Sequence, residues 1–309
     1  MRAAFVKTLV GMAERDPQIL LLTGDLGYLA LEPFADRFPK RFFNVGVAEQ
    51  NMVGLATGLA EGGFIPFVYS IVPFATLRPY EFIRNGPIQH RLPVRIVGVG
   101  GGFEYGSNGL SHYGLEDVGV MRIQPGITVI APADHQQASA ALLASRDLPG
   151  PVYYRLGKDD QTVIPGLDGR FELGKIQRIG EGSALALISM GSLASEAAAA
   201  AQTLAAQGVA CSLLIVACLN PAPVDELAGV LKEFPVALTV EAHYRVGGLG
   251  SLVAEVIAER GVNCRLVRCG VHSMPHGVSG SQRYLHHAYG LSCEALVETA
   301  LHALQRTNP

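Results

Sequence analysis

The chain has 309 residues, room for two domains of roughly 150 residues each. Apolar residues make up 49% and charged residues 17%, with a net charge of −3. That balance, with no long run of Lys or Arg and no stretch near the roughly 20 apolar residues of a bilayer span, argues against nucleic-acid and membrane partners. The apolar excess is mostly Ala, Gly, Val and Leu. It fits central strands buried on both faces or a surface covered by a partner; composition leaves both open.

Residues 2–15 have the spacing of an amphipathic helix and run into Glu14-Arg15-Asp16, which is not a signal-peptide layout. Ile19 to Leu22 is a short apolar strand ended by Thr23-Gly24-Asp25, and Phe42 to Val45 is a second strand. A helix is expected from Glu49 to Glu61, a strand from Phe64 to Val68, a helix from Phe74 to His90 and a buried strand from Val94 to Val99. Thr128 to Ile130, a helix from Asp134 to Ser145, and Val152 to Tyr154 complete this half. The polar, turn-rich stretch 157–169 marks a boundary, giving expected domains at 1–160 and 170–309.

Beyond it strands at 185–189, 212–216, 236–240 and 264–267 alternate with helices at 193–207, 224–232, 249–259 and 292–304. The expectation is therefore α/β, two consecutive domains with mostly parallel sheets, the second smaller and flavodoxin-like. All five cysteines lie in this second half and none forms a C-x-x-C pair. They read as reduced thiols of a cytoplasmic protein.

Two segments invite a chemical reading. Gly98 to Phe103 is glycine-rich after a strand but lacks a phosphate-loop signature, so it suggests backbone that a ligand approaches closely. Glu49 stands in the first turn of its expected helix among small and apolar residues. An exposed Glu there would only complement the helix dipole. A buried one without a partner takes up a proton and is placed to share it with a ligand nitrogen.

The run from Arg41 to Ala60, centred on Asn44-Val45-Gly46-Val47-Ala48-Glu49-Gln50-Asn51, resembles the central motif of transketolases. It is most similar to their split, two-subunit forms and to deoxyxylulose-phosphate synthases, and the likeness extends over essentially the whole chain. The resemblance implies a pyrimidine-binding domain followed by a transketolase C-terminal domain, with thiamine diphosphate as cofactor. Glu49 would then hydrogen-bond N1′ of the aminopyrimidine and favour the imino form that takes the thiazolium C2 proton. The block from Tyr69 to Arg84 implies that Phe74 stacks on the pyrimidine face. Asp25 matches an aspartate near the cofactor, although a turn carboxylate bonding its own backbone reads the same way.

Asn108-Gly109-Leu110-Ser111-His112 resembles the family's active-site loop, which makes His112 a catalytic and substrate-binding candidate and Asn108 a substrate-binding one. Arg2 and Arg155 match arginines that grip a sugar phosphate, a role that suits a planar guanidinium; a structural ion pair is the other reading of each. Glu241-Ala242-His243 with Gly247 to Gly250 matches a landmark of the fold and dimer surface. Two positions depart from the family pattern. Gly100 stands where a histidine is usual, and Asn108 where an acidic residue is usual, both where sugars are distinguished.

No G-D-G segment occurs, and the chain begins where the family's second domain begins. The resemblance therefore implies an N-terminal-half subunit carrying the diphosphate and Mg²⁺ site, in an α2β2 assembly with a contact between the two copies of this chain. The implied activity is transfer of a two-carbon ketol unit from a ketose, or its phosphate, to an aldose. The alternatives are the β subunit of a 2-oxoacid dehydrogenase and a non-catalytic, partner-binding paralogue.

Overall fold

Runs such as Ile19-Leu20-Leu21-Leu22 and Val152-Tyr153-Tyr154 are buried along their whole length, which only strands covered on both faces require. The computed structural model describes residues 1–306. Its strands are β1 (Ile19–Thr23), β2 (Phe42–Asn44), β3 (Ile65–Ile71), β4 (Arg95–Val99), β5 (Thr128–Ile130), β6 (Val152–Leu156), β7 (Gln177–Ile179), β8 (Leu185–Ser189), β9 (Cys211–Ile215), β10 (Cys218–Asn220), β11 (Val236–Tyr244) and β12 (Arg265–Val271). The first sheet has the order β10-β5-β6-β4-β3-β1-β2, and the second β12-β11-β8-β9-β7. Every pair is parallel except β10 with β5 and β7 with β9. The α/β architecture with two mostly parallel sheets is as expected.

Three details were not. Strand β10 follows β9 of the second sheet but crosses back to edge the first, so the two halves share backbone hydrogen bonds. The helix expected over 74–90 is broken into Val72–Thr76, Tyr80–Ile83 and a π-helical turn Arg84–Ile88. The reason is Pro79 and Pro87, which donate no N–H and crowd the preceding turn. Short helices at Glu32–Arg37, Asp117–Arg122 and Gln282–Ala288 have too few periodic positions to stand out in sequence.

Helix Glu49–Glu61 packs on β3 and buries Glu49, Met52, Val53, Ala56 and Ala60. That spacing is one helical face, so the carboxylate shares the apolar stripe and is carried inward with it. In the second half, Glu241 of β11 accepts the N–H groups of Leu249 and Gly250 at 2.7 and 2.8 Å, at the start of helix Leu249–Arg260. A side chain at Gly248 would lie 2.0 Å from the Glu241 carboxylate, which explains the glycine there. His243 donates Nδ1–H to the Tyr244 carbonyl at 2.7 Å and accepts the Gly119 N–H at Nε2. This landmark is buried and ties the two halves together; Glu241 and His243 present no surface of their own.

All five cysteines carry free thiols, and burial pushes those of Cys218, Cys264 and Cys269 up to about 11. Among the described residues no helix is long and apolar enough to cross a membrane.

Candidate functional site

Parallel sheets leave a crevice at the carboxyl ends of strands where the order reverses. Here the reversal is at β1, with β2 on one side and β3 on the other. Asp25 follows β1, Glu49 follows β2, Phe74 follows β3 and Gly100 follows β4. Four residues singled out in sequence thus converge on neighbouring strand ends for a topological reason.

The Glu49 side chain is 2% exposed. The expectation of a buried carboxylate without a partner does not hold, because Arg78 supplies one. Nη1 of Arg78 donates to both Glu49 oxygens, at 2.9 and 3.0 Å, and Ser70 Oγ stands at 3.4 Å from Oε1. The Arg78 guanidinium also lies over the Phe74 ring, 3.8 Å from its centroid. Phe74 in turn meets the His112 ring edge-on, with centroids 4.9 Å apart. Glu49, Phe74 and His112 are therefore brought together, joined by an arginine that sequence reasoning passed over.

His112 is half-buried in the loop Leu110–His112, with Ser111 Oγ 3.0 Å from its Nδ1. Burial lowers its pKa, and the Arg78 charge lowers it further. Beyond it lies Tyr105, ring centroids 6.2 Å apart, with Lys158 Nζ 4.1 Å above the Tyr105 ring. Tyr105 accounts for Gly100. A Cβ at position 100 would lie 2.1 Å from the Tyr105 ring, and the backbone there has φ +82°. The space beside Gly100 is filled by this tyrosine.

The remaining candidates differ in position. Asp25 sits at φ 57° and accepts Tyr28 OH at 2.8 Å and Asn44 Nδ2 at 3.0 Å, bonds that lower its pKa, Asn44 foremost. It bonds these side chains rather than its own backbone, and neighbouring Gly24 abuts the Glu49 carboxylate. Asn108 is exposed at the end of the turn Gly106–Asn108. Arg2 is half-buried, has an unpartnered Nε, and lines a cavity with Lys7, Leu29 and Asp160; its charge reaches Tyr105.

Arg155 takes the other role open to it. Its Nε donates to Asp117 at 2.8 Å, and Nη2 donates to the carbonyls of Gly114 and Ala242, each at 2.8 Å. Burial works against its charge, yet Asp117, Tyr153 and Glu104 raise its pKa. The guanidinium is 3% exposed and bound within the protein, not offered to a phosphate. The glycine-rich loop follows the same logic: Cβ atoms at Gly101 and Gly102 would lie 2.4 Å from Arg155 and 2.5 Å from Ala242. Those glycines admit other parts of the protein, not a ligand.

Glu49 and Phe74 hold the guanidinium by its face and by its N–H edge. A flat aromatic ring whose nitrogen shares a proton with the carboxylate presents the same two features, so the pair fits an aminopyrimidine. Arg78 was detectable in sequence as Phe74-x-x-x-Arg78, a spacing that would stack the two side chains on one face of the helix expected over 74–90, although in the structure Arg78 lies just past the end of helix Val72–Thr76. Tyr105 had no such signal, since only the glycine it displaces onto is unusual.

Comparison with known proteins agrees with this geometry. Residues 1–162 match the family model for the transketolase pyrimidine binding domain, and 174–296 that for the transketolase C-terminal domain. The chain is 32% identical to one of the subunits of the apulose-4-phosphate transketolase of Phocaeicola vulgatus, over 99% of this chain and 97% of that one. It is 34% identical to a 6-deoxy-6-sulfo-D-fructose transketolase subunit of Clostridium sp., over 100% of this chain and 95% of that one. Among solved structures, a split gene transketolase described as an inactive beta4 tetramer superposes with a TM-score of 0.87 at 34% identity, covering 98% of this chain and 97% of that one.

Proposed function

The chain belongs to the transketolase family, and from that premise we propose that it is the pyrimidine-side subunit of a split enzyme that transfers a two-carbon ketol unit from a ketose to an aldose. One observation carries the reading: a buried carboxylate and an aromatic face already hold a planar N–H-bearing group between them. When bound, thiamine diphosphate supplies the carbanion chemistry that ketol transfer needs. Glu49 would hold a proton against the pyrimidine N1′, and Phe74 would support the ring face. His112, kept neutral by burial and by Arg78, would accept or orient a substrate proton. Asp25, held by Tyr28 and Asn44 at the end of β1, would face the cofactor side of the crevice.

Arg2 and Asn108 remain the substrate-binding candidates, with Tyr105 and Lys158 beside them. Two relatives are named for sugars that carry an anionic group, one a phosphate and one a sulfonate. Together with the cations of Arg2 and Lys158, this supports a substrate with an anionic end. Arg155 is assigned to holding the loop behind the site.

An N-terminal-half partner would supply the Mg²⁺ and diphosphate ligands, a reading supported by the lack of a G-D-G segment in this chain. The assembly would be α2β2 with two sites, and the free thiols suit a cytoplasmic enzyme. Glu49→Gln in the complex with that partner should lower turnover roughly 10²–10⁴-fold. Near-normal turnover would overturn the role of Glu49, and release of CO₂ from a 2-oxoacid would favour the dehydrogenase alternative.

A further inference from the structure

We infer that Arg78 occupies the pyrimidine seat in the cofactor-free chain, and that cofactor affinity is set by how readily it leaves. The inference rests on the cofactor reading of Glu49 and Phe74 given above. The guanidinium centre lies 3.8 Å over the Phe74 ring, within stacking distance, so a second flat group cannot occupy that face at the same time. Its Nη1 engages both Glu49 oxygens, the same atoms that would share a proton with a ring nitrogen. The occupant and its expected successor compete for one face and one edge.

The pair is asymmetric in a way that makes exchange feasible. Glu49 is 2% exposed, whereas Arg78 is 41% exposed and lies on the solvent side of it. Arg78 stands between helix Val72–Thr76 and helix Tyr80–Ile83, where Pro79 interrupts the helical run. A change of side-chain rotamer moves the guanidinium into water without disturbing the sheet. Arginine suits such a seat because it is planar, permanently charged and weakly hydrated, so it can stack and donate at once. The ion pair also keeps the buried carboxylate compensated until the cofactor arrives.

A binding-competent state populated only in part weakens apparent affinity by that fraction. Arg78→Gln should therefore bind thiamine diphosphate with Mg²⁺ about tenfold more tightly than the unaltered chain, by calorimetry on each chain paired with its N-terminal-half partner. Adding Glu49→Gln should abolish that gain, since the carboxylate is what the emptied seat offers. Arg78→Lys keeps a charge near Glu49 but cannot stack as a plane, so its affinity should fall between the two. Equal or weaker binding by Arg78→Gln overturns the seat, even where Glu49→Gln still weakens binding and so leaves the cofactor reading intact. Failure of every chain to bind the cofactor overturns the reading and the seat together.

Discussion

Among the described residues two pairs join a buried carboxylate to an arginine, and they are built for opposite ends. Asp117 and Arg155 are 1% and 3% exposed, and the arginine also donates to two carbonyls, one from each half of the chain. Tyr153 OH adds a third donor to the group, reaching Asp117 at 2.7 Å. Glu49 is as deeply buried as Asp117, but its arginine is 41% exposed and has only an aromatic face besides the carboxylate. The first pair is closed by the fold around it, the second only by a side chain. Burial of the acid does not separate structure from function here; access to its partner does.

The sharpest way to break this contrast is to remove each arginine in turn. Arg155→Met leaves Asp117 buried with an uncompensated charge and should cost about 3–5 kcal/mol of stability. Arg78→Met opens Glu49 to water as it removes the partner, so its cost should be about 1 kcal/mol or less. Urea unfolding of the two variants decides the matter. Equal losses would mean that the Glu49 pair is as structural as the other.

Gly100→Ala tests the intermediate region, where Tyr105 stands against the backbone. The added methyl meets the ring, and φ +82° is unfavourable for any residue with a Cβ. We expect a loss of about 1–3 kcal/mol, from overpacking and strain together. Tyr105 should also be pushed toward His112, raising the KM for the sugar with a smaller change in kcat. An unaltered KM would place Tyr105 outside the substrate path.

Much of the architecture was legible because it rests on local regularities. The apolar runs Ile19–Leu22 of β1 and Ile96–Val99 of β4 read as buried strands, and the small and apolar neighbours of Glu49 pointed to a buried carboxylate, although the face that carries it inward is Met52, Val53, Ala56 and Ala60 and leaves Leu55 exposed. What was not legible depends on contacts between distant residues. Position 155 reads in sequence as a phosphate grip, with an ion pair the lesser reading, until Asp117 and the Ala242 carbonyl are seen beside it. Strand β10 is only three residues long, and its partner β5 lies almost ninety residues earlier, so no periodicity announces their pairing. Gly100 looked like a lost contact in sequence, because the ring that fills its space belongs to a loop whose path the sequence does not dictate.

The smallest expected effect bears on the same contrast through His112. Its pKa lies below the ordinary 6.5, first because it is partly buried and second because the Arg78 charge is near. The unfolded chain therefore takes up this proton more readily than the folded one. The stability tied to neutral His112 is whole above the unfolded value near 6.5 and is lost as pH falls through the folded pKa. An NMR titration of the His112 ring, assigned by its loss in His112→Asn, should show a midpoint below 6.5. In Arg78→Gln the midpoint should rise only part of the way back, since burial, the larger cause, is still present. Bound cofactor should raise it in the same direction if Arg78 moves away from the ring into water. A midpoint unmoved by either change would mean that the Arg78 charge is not felt at His112, and the second pair would lose its link to the catalytic loop.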